Sequence, residues 1–432
     1  MKLSRFRMIN RFYHPGRPIY DQPHFKSNLE QIAIHDNIGD HTYGDLQLGS
    51  DKIASALSKT LETGKNANVA FLAPNNHHYT LAQLGIWKSG LSCVPLCQSH
   101  PPQTLKYYID DSQASALIVT KDFVDKIGDL RKQSKLLILE DLLEETAEIE
   151  DLKGVEGEDN ALLIYTSGTT GSPKGVVLTM NNVIAQTECM IKPWAWHEND
   201  KILHILPLHH THGIVNCHLC PLHIGASIRM LPHFDAKTVW QHLLNGDINV
   251  FMAVPTVYAK LLEYLRSNPD LNDNVKDTLG DKIRLMVSGS AALPQPIFEE
   301  WQQKTGHTLL ERYGMTEIGM ALTNPYAGQR KPGFVGHPFP GVQARIVGPD
   351  GKVLVQGDDI STSISAKSDD ENEEPNGDLQ IKGPNVFKCY YGRAEATAKE
   401  FTDDGWFKTG DTAQFSEQSF KILGRSSVDI IK

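Results

Sequence analysis

Short apolar runs alternate with amphipathic segments along most of the chain. Residues 68–72, 116–120 and 161–166 are almost continuously apolar, which is typical of strands buried on both faces. Between such runs, residues 79–88 place apolar side chains at helical spacing. Strands separated by helices predict parallel sheets covered by helices, which is an α/β fold. The same reasoning predicts strands at 92–96, 137–140, 202–206, 226–231, 250–254 and 283–287, and a helix at 105–110.

The pattern changes after residue 332. Gly, Pro and short alternating strands, at 344–347 and 378–382, replace the longer apolar runs. We therefore predict an α/β core at 21–332 and a smaller, β-barrel-like subdomain at 333–423.

Composition limits the possible functions. The 432 residues carry a formal net charge of −10, which disfavours broad nucleic-acid binding. No uninterrupted apolar stretch approaches the roughly 20 residues of a membrane helix. The six cysteines are scattered, which is typical of a reduced, intracellular protein and not of a disulfide framework.

The first 20 residues depart from the acidic balance of the chain. They contain no acidic side chain, and apolar residues alternate with the basic ones. This pattern is typical of a mitochondrial targeting segment, and the alternative is an ordinary basic arm on a cytoplasmic protein. The basic residues are Lys2, Arg5, Arg7, Arg11 and Arg17.

The strongest chemical signal is the sequence YTSGTTGSPKG at 165–175, directly after a predicted strand. Its glycines and hydroxyls allow main-chain N–H groups to surround a phosphate chain, and Lys174 adds a positive charge. Gly175 follows Lys174, so the segment lacks the spacing of a Walker A loop. The alternative is a flexible linker, which rarely follows a buried strand.

This segment resembles the signature loop of the adenylate-forming superfamily of acyl-CoA synthetases, luciferases and peptide-synthetase adenylation domains. RYGMTE at 312–317, GWFKTGD at 405–411 and the pair Gly424-Arg425 resemble later motifs of the superfamily, in the expected order. The resemblance covers roughly residues 30 to 432 and implies the large N-terminal domain of these enzymes. It also implies ATP, Mg²⁺ and coenzyme A as cofactor and co-substrates.

The resemblance further implies that a small C-terminal domain follows the Gly-Arg motif and rotates between the two half-reactions. Residues 424–432 are then the start of the hinge to that domain. Without the domain, we expect turnover by this chain to be impaired.

The later motifs suit nucleotide binding. The face of Tyr313 can stack on adenine, and Thr316 and Glu317 offer the oxygen ligands that Mg²⁺ takes beside phosphates. The resemblance implies that Asp411 accepts the ribose hydroxyls and that Arg425 reaches the ribose or phosphates. Taken alone, Tyr313 fits a core position and Asp411 a turn. The expected ATP/AMP-binding residues are Thr166, Ser167, Gly168, Thr169, Thr170, Gly171, Lys174, Gly289, Ser290, Tyr313, Gly314, Met315, Thr316, Asp411 and Arg425.

A cluster of histidines and cysteines at 209–220 has two interpretations. The CxxC spacing at Cys217 and Cys220 fits zinc, but the apolar residues around it predict a buried helix, which we favour. The resemblance places a histidine at the position of His210, close to phosphates and acyl group. We expect Lys174, His210, Thr316 and Glu317 to be the catalytic residues, with Mg²⁺ held through ATP at the last two.

Within the superfamily, the segments at 194–196, 206–213, 284–294 and 311–320 resemble malonyl-CoA synthetases of the acyl-CoA synthetase family member 3 type. That group activates malonate and methylmalonate. A second carboxylate needs a partner, and the guanidinium of Arg284 can form a bidentate pair with it. Alternatively, Arg284 is an ordinary strand-end charge. Ser288 and His210 would complete this carboxylate site.

The expected function is ATP-dependent ligation of malonate or methylmalonate to coenzyme A. A medium- or branched-chain acyl-CoA synthetase and a non-catalytic ATP- or acyl-adenylate-binding module are the alternatives. The expected partners are these small molecules, without nucleic acid or a membrane span.

Overall fold

The computed structural model describes residues 14–61, 64, 66–128, 130, 135–144, 146, 153–166, 172–364 and 374–426. The chain divides into two compact units. Unit 1 comprises residues up to 187, 197–234 and 387–394, and unit 2 comprises 188–196, 235–386 and the residues from 395 onward.

The strands follow one another along the whole described chain. They are β1 Ile32–His35, β2 Asp40–Thr42, β3 Asn68–Leu72, β4 Ser92–Pro95, β5 Ala116–Val119, β6 Lys135–Ile138, β7 Asn160–Thr166, β8 Lys174–Thr179, β9 Lys201–His204, β10 Ser227–Met230, β11 Val250–Ala253, β12 Leu285–Ser288, β13 Leu310–Met315, β14 Gly319–Thr323, β15 Phe334–Pro338, β16 Gln343–Val347, β17 Val353–Gly357, β18 Thr362–Ile364, β19 Asn376–Lys382, β20 Cys389–Tyr390, β21 Phe407–Ser416 and β22 Ser419–Arg425.

The helices lie mostly between strands of the first three hundred residues. They are α1 His24–Ser27, α2 Tyr43–Thr60, α3 His77–Lys88, α4 Pro102–Asp111, α5 Leu139–Glu144, α6 Met180–Glu188, α7 Cys220–Ile224, α8 Ala236–Asn245, α9 Pro255–Ser267, α10 Val275–Lys282, α11 Gln295–Thr305 and α12 Ala394–Lys399. Short 3-10 helices lie at Ile19–Asp21, Lys121–Phe123 and Pro269–Asn274, and a π-helix lies at His212–Leu219. Within the part of the chain that is described, no helix has both the length and the apolar character needed to cross a bilayer.

Unit 1 contains a mixed sheet with the strand order β20-β8-β7-β4-β3-β5-β6. Its centre is parallel, and β8 pairs antiparallel with both β7 and β20. The residues of β3, β4 and β5 are all buried, as expected for strands covered on both faces. In the same unit, β9, β10 and β1 are parallel and β2 pairs antiparallel with β1.

Unit 2 combines parallel and antiparallel pairing. Strands β11, β12 and β13 are parallel neighbours. From β13 the pairing becomes antiparallel, in the order β13-β14-β15-β22-β21-β19-β16-β17-β18. The α/β fold and the later β-rich part are thus confirmed.

Two of the predicted boundaries fall within paired β-structure. The predicted division at residue 332 lies inside unit 2, because β15 pairs antiparallel with β14 across it (Leu322 opposite Pro338). Residues 424 and 425, predicted to begin a hinge, belong to β22, where Arg425 lies opposite Asp411. The remainder of that segment, 427–432, lies outside the described residues.

The predicted strand at 137–140 is only half correct. Strand β6 ends at Ile138, and helix α5 begins at Leu139. Leu139 and Leu142 are both buried, at the i, i+3 spacing of one helix face. Glu140 and Asp141 occupy the first turn, where acidic side chains favour a helix. The apolar run therefore contains a strand end followed by a helix start.

Candidate functional site

The candidate phosphate loop joins β7 to β8 in unit 1. Thr166, the last residue of β7, lies opposite Lys174, the first residue of β8. The antiparallel hairpin therefore holds both ends of the loop in a defined register. The predicted binding residues between them, Ser167, Gly168, Thr169, Thr170 and Gly171, lie outside the described residues.

Aromatic side chains support the C-terminal end of this loop. The Nζ of Lys174 lies 4.6 Å from the centre of the Tyr390 ring, within range of a cation–π interaction. The hydroxyl of Tyr107 donates to the backbone carbonyl of Pro173 over 2.7 Å. These two contacts hold the Pro-Lys step, and so the lysine itself, against α4 and β20.

An ion-paired carboxylate supports β7. Asp111, at the end of α4, accepts from the Tyr165 hydroxyl (2.9 Å) and pairs with Arg393 (2.5 Å). The Tyr165 ring also stacks on Tyr108, with centroids 4.2 Å apart. Burial, and then the bond to Asp111, raises the pKa of Tyr165, so the hydroxyl remains a donor. The strand that leads into the loop is thereby fixed by three side chains.

The histidine segment follows β9. His209 and His210 lie in the turn before the π-helix, with ring centroids 4.1 Å apart. Desolvation, aided by His210 and His100, lowers the pKa of His209 to about 3. Solvent reaches part of His210, but the surrounding protein still lowers its pKa by desolvation, and His100 adds to this effect. Both rings are therefore neutral near pH 7, and a neutral ring can donate one N–H.

A glycine shapes the start of the π-helix. A Cβ on Gly213 would lie 2.2 Å from the carbonyl oxygen of Pro207, closer than any side chain permits. The carbonyl of Gly213 accepts from the buried ring of His204 (3.0 Å). The turn that carries His209 and His210 is consequently compact.

The two cysteines of the CxxC pair lie in buried helix, as favoured above. Cys217 belongs to the π-helix and Cys220 begins α7, and both are fully buried. The ring of His218 bonds to Thr80 (2.7 Å), and the thiol of Cys220 donates to Thr187 (3.8 Å). Among the described residues, neither cysteine belongs to a group of three or more metal-ligating side chains.

Arg284 lies immediately before β12 in unit 2. Its guanidinium donates to the backbone carbonyl of Trp194 (2.8 Å). The rings of Trp196 and Tyr326 each lie 5.6 Å from its central carbon. The side chain is partly buried, so it is more enclosed than an ordinary strand-end charge.

The other end of β12 carries the Ser288-Gly289-Ser290 turn. Ser288 is 1% exposed, and its Oγ makes no hydrogen bond among the described residues. A Cβ on Gly289 would lie 2.5 Å from Nε of Arg312, so a larger residue there would force the Arg312 side chain to shift. Ser290 adopts φ +69°, and its Oγ accepts from Arg312 at 3.4 Å. This turn and β13 are therefore closely joined.

The β13–β14 hairpin presents the YGMTE motif. Tyr313, Gly314 and Met315 end β13, while Thr316 and Glu317 form the turn before β14. A Cβ on Gly314 would lie 2.0 Å from the carbonyl oxygen of Gly319, so the tight crossing of the strands requires glycine.

A side chain from a distant part of the sequence stabilises the turn of this hairpin. The buried amide of Asn385 donates to the carbonyl of Ile318 over 2.6 Å. Glu317 is only 6% exposed, so its carboxylate sits within the protein surface and beside the hydroxyl-bearing Thr316 in sequence. Two adjacent oxygen donors on a braced turn suit a hard cation bound to phosphates.

Three residues that are predicted to bind the nucleotide contact one another in unit 2. One carboxylate oxygen of Asp411 accepts from the Tyr313 hydroxyl (2.5 Å), and the other lies 3.1 Å from Nε of Arg425. Arg425 also donates to the carbonyl of Thr409 (3.0 Å). Burial, followed by Asp411, raises the pKa of Tyr313. The sequence motifs at 313, 411 and 425 thus form one hydrogen-bonded cluster, with the tyrosine as donor.

Sequence reasoning missed the aromatic neighbours of the two candidate cations. Tyr390 beside Lys174, and Trp196 and Tyr326 beside Arg284, belong to no predicted site. Tyr390 lies 216 positions along the chain from Lys174, so no local pattern links them. Trp196 lies in the 194–196 segment, whose resemblance to malonyl-CoA synthetases gives it no role at Arg284.

The family model for AMP-binding enzymes matches residues 22–391. The chain belongs to this family. ATP and coenzyme A are the expected substrates of such an acyl-CoA ligase.

Named relatives and solved structures agree with this family. The mitochondrial malonate–CoA ligase ACSF3 of Xenopus laevis is 45% identical over 430 residues, covering 93% of this chain and 74% of the relative. The crystal structure of ATP-bound MatB from Rhodopseudomonas palustris superposes with a TM-score of 0.82 at 30% identity, covering 94% of this chain and 78% of that one. A malonyl-CoA ligase product complex with methylmalonyl-CoA and AMP gives 0.79 at 31%, covering 94% and 80%.

Proposed function

We propose that this protein is an ATP-dependent ligase that joins malonate or methylmalonate to coenzyme A. Family membership supports the adenylate-forming chemistry. The names of its relatives support the dicarboxylate, because one is a malonate–CoA ligase and a similar structure contains methylmalonyl-CoA and AMP.

The observation that carries the choice of substrate is the environment of Arg284. A dicarboxylate keeps one negative charge after its other carboxylate has reacted, and leaving that charge desolvated and unpaired costs several kcal/mol. The Arg284 guanidinium is partly buried, held by the Trp194 carbonyl and flanked by Trp196 and Tyr326. Its planar fork suits bidentate pairing with a carboxylate. The buried Ser288 hydroxyl and His210 are the further candidates for binding that group.

The reaction proceeds in two displacements. One carboxylate oxygen of the acid attacks the α-phosphorus of ATP, and the bond from that phosphorus to the bridging oxygen of pyrophosphate breaks. The thiolate of coenzyme A, its proton lost to solvent, then attacks the acyl carbon, and AMP leaves. In this proposal the first step is accelerated mainly by positioning and by stabilisation of charge on the phosphates.

Each candidate residue has a distinct role in that scheme. Lys174 neutralises charge on the phosphates, and its contact with Tyr390 orients the ammonium group. His210, neutral because of its lowered pKa, donates one N–H toward developing negative charge. Asp411 accepts the ribose hydroxyls, and Arg425 reaches the ribose or phosphates. ATP and AMP are bound by the main chain of three segments, 166–171, 289–290 and 313–316. The ring of Tyr313 stacks on the adenine.

ATP enters as its Mg²⁺ complex in this proposal. The adjacent oxygens of Thr316 and Glu317 fit the ligand preference of Mg²⁺, which uses one or two protein donors beside nucleotide phosphates. The ion would supply charge neutralisation at the phosphates. The chain's own contribution is to hold these donors on the braced β13–β14 turn.

The test is acid-dependent release of pyrophosphate from MgATP, with malonate, methylmalonate, acetate and octanoate as the acids. We expect release with the two dicarboxylates, its loss in Arg284→Ala, and little recovery in Arg284→Lys, because lysine keeps the charge but not the fork. Arg266→Ala, on the exposed face of α9, is the matched control and should behave as the wild type.

Two outcomes would contradict the proposal. Release with octanoate that is independent of Arg284 would indicate a medium-chain acyl-CoA synthetase. ATP binding without release for any acid would indicate a non-catalytic nucleotide-binding module. The second displacement is tested separately by using chromatography to detect the thioester formed with coenzyme A.

We further propose that the protein is mitochondrial, on the basis of its basic N-terminus and of relatives named as mitochondrial. The Tyr20 hydroxyl donates to Val155 (2.6 Å), and the Gln22 side chain bonds both backbone groups of His14. A removable segment should therefore end before His14, and not at residue 20. N-terminal sequencing of the protein purified from mitochondria would test this, and a start after residue 20 would refute it.

A further inference from the structure

Cys97, His100 and His209 form a cluster in unit 1 that the proposed reaction does not use. One ligand atom from each residue lies within 4.8 Å of the other two. The first two come from a single turn after β4, in which the His100 amide donates to the Cys97 carbonyl (3.2 Å). The third comes from the turn after β9. The geometry points to a three-ligand site for a thiophilic divalent metal ion of the Zn²⁺ type.

The chemistry of the donors fits such an ion. Zn²⁺ binds thiolate and imidazole at about 2.0–2.3 Å, which places tetrahedral ligands roughly 3.5 Å apart. The three ligand atoms would each have to move by about 1 Å or less to go from separations of up to 4.8 Å to that spacing. Three protein ligands leave one position for water or another donor. The C-x-x-H turn also resembles the short ligand spacings of zinc sites.

The present contacts of the cluster leave it able to bind. Cys97 is 3% exposed, and its thiol contacts only a neighbouring hydroxyl among its described hydrogen bonds, Ser99 at 2.9 Å. The Nδ1 atom of His100 is buried and makes no hydrogen bond among the described residues. Lys126, which bonds to the Gln98 carbonyl, is the nearby cation that opposes binding.

A second group, Asp36, His41 and His77, is a weaker candidate. Both carboxylate oxygens of Asp36 already bond to the two rings, at 3.2 and 2.9 Å, and the rings stack with centroids 3.6 Å apart. A metal would have to replace these bonds. In the Cys97 cluster, by contrast, no described hydrogen bond joins the three side chains to one another.

Metal binding is expected to reduce adenylation. His209 is adjacent in sequence to the candidate catalytic His210, and their rings lie 4.1 Å apart. Pulling His209 toward Cys97 would restrain the turn that both residues share. This consequence rests on the proposed function, whereas the metal site itself does not.

Binding is tested on the whole reduced protein, without nucleotide. We expect one Zn²⁺ per chain by titration calorimetry, and a thiolate-to-metal charge-transfer absorption when Co²⁺ is the probe. Cys97→Ser, His100→Gln and His209→Gln should each weaken binding by at least about tenfold. Cys389→Ser, which changes a more accessible cysteine, is the control and should bind as the wild type. The wild-type Co²⁺ spectrum needs no variant and so does not depend on their folding.

Several results would overturn the site. These are a Co²⁺ spectrum without the charge-transfer absorption, full Zn²⁺ affinity in Cys97→Ser, or loss of binding in Asp36→Asn but not in Cys97→Ser. The activity test is separate: Zn²⁺ should inhibit pyrophosphate release by the wild type and spare Cys97→Ser. If no acid supports release, the proposed ligase function fails while the binding result still decides the metal site.

Discussion

The buried carboxyl group of Glu311 should make this protein less stable as the pH rises. Glu311 lies in β13 and is 5% exposed. Its Oε1 accepts from the backbone N–H of Gly333 (2.9 Å). Burial raises its pKa from 4.5 to about 7, although bonds from Gly333 and Leu293 oppose the shift. The folded protein therefore keeps this proton at pH values where the unfolded chain has lost it.

The sign and size of the effect follow from linkage. A group that binds its proton more tightly in the folded state stabilises that state below its unfolded pKa, and the contribution is lost as pH rises through the folded pKa. A pKa of about 7 instead of 4.5 corresponds to about 3 kcal/mol in total. Between pH 5 and 8 we expect Glu311 to lower the free energy of unfolding by about 2–3 kcal/mol.

Glu311→Gln isolates this effect because glutamine keeps the acceptor for Gly333 and cannot ionise. Urea unfolding, followed by tryptophan fluorescence at pH 5, 6, 7 and 8, measures the difference between variant and wild type. The stability of the variant relative to the wild type should increase by about 2–3 kcal/mol over this range. Glu263→Gln, on the exposed face of α9, is the control and should show no such trend. A difference for Glu311→Gln that stays constant with pH would refute the reasoning.

Further predictions concern single contacts. The Lys88 ammonium is buried against Asp51 (2.7 Å), so Lys88→Ala leaves a buried carboxylate without its ion-pair partner. This should lower the free energy of unfolding by about 3–5 kcal/mol, measured as a lower urea midpoint. Tyr313→Phe removes the donor to Asp411, and should raise the KM for ATP about tenfold in the pyrophosphate assay with little change in thermal stability. An unchanged KM would mean that the hydroxyl does not position Asp411. Gly213→Ala places a methyl group 2.2 Å from a backbone carbonyl oxygen and should lower the yield of folded protein, whereas Gly351→Ala should affect it less.

Periodicity was sufficient for most of the fold. The buried strands β3, β5 and β7 are short apolar runs, and such runs have few alternatives once helical segments separate them. It failed at 137–140, where a strand and a helix share one apolar run. It also gave no sign that β14 pairs with β15 across residue 332, because the hydrogen bonds between two strands depend on the partner strand and leave no mark on local composition.

The candidate site was predictable where its residues lie in one motif. The hairpin at 313–317 is continuous in sequence, and its glycine is required by the crossing of adjacent strands. The bond from Tyr313 to Asp411 spans 98 positions, and the pKa changes of His209 and Glu311 result from burial. Such effects depend on tertiary packing, so a single sequence contains no local signal for them.

The charge of Arg284 should also determine which acids the protein rejects. A guanidinium stays charged in any protein environment, so the apolar end of a monocarboxylate placed against Arg284 would take water away from that charge and offer it no hydrogen bond in return. The monocarboxylate then loses binding energy at the same position where the dicarboxylate gains it. Arg284→Leu should therefore lower the kcat/KM for malonate and raise that for a monocarboxylate of similar size, such as butyrate. Equal losses for both acids, measured by pyrophosphate release, would mean that Arg284 supports the fold near Trp194 and does not select the substrate.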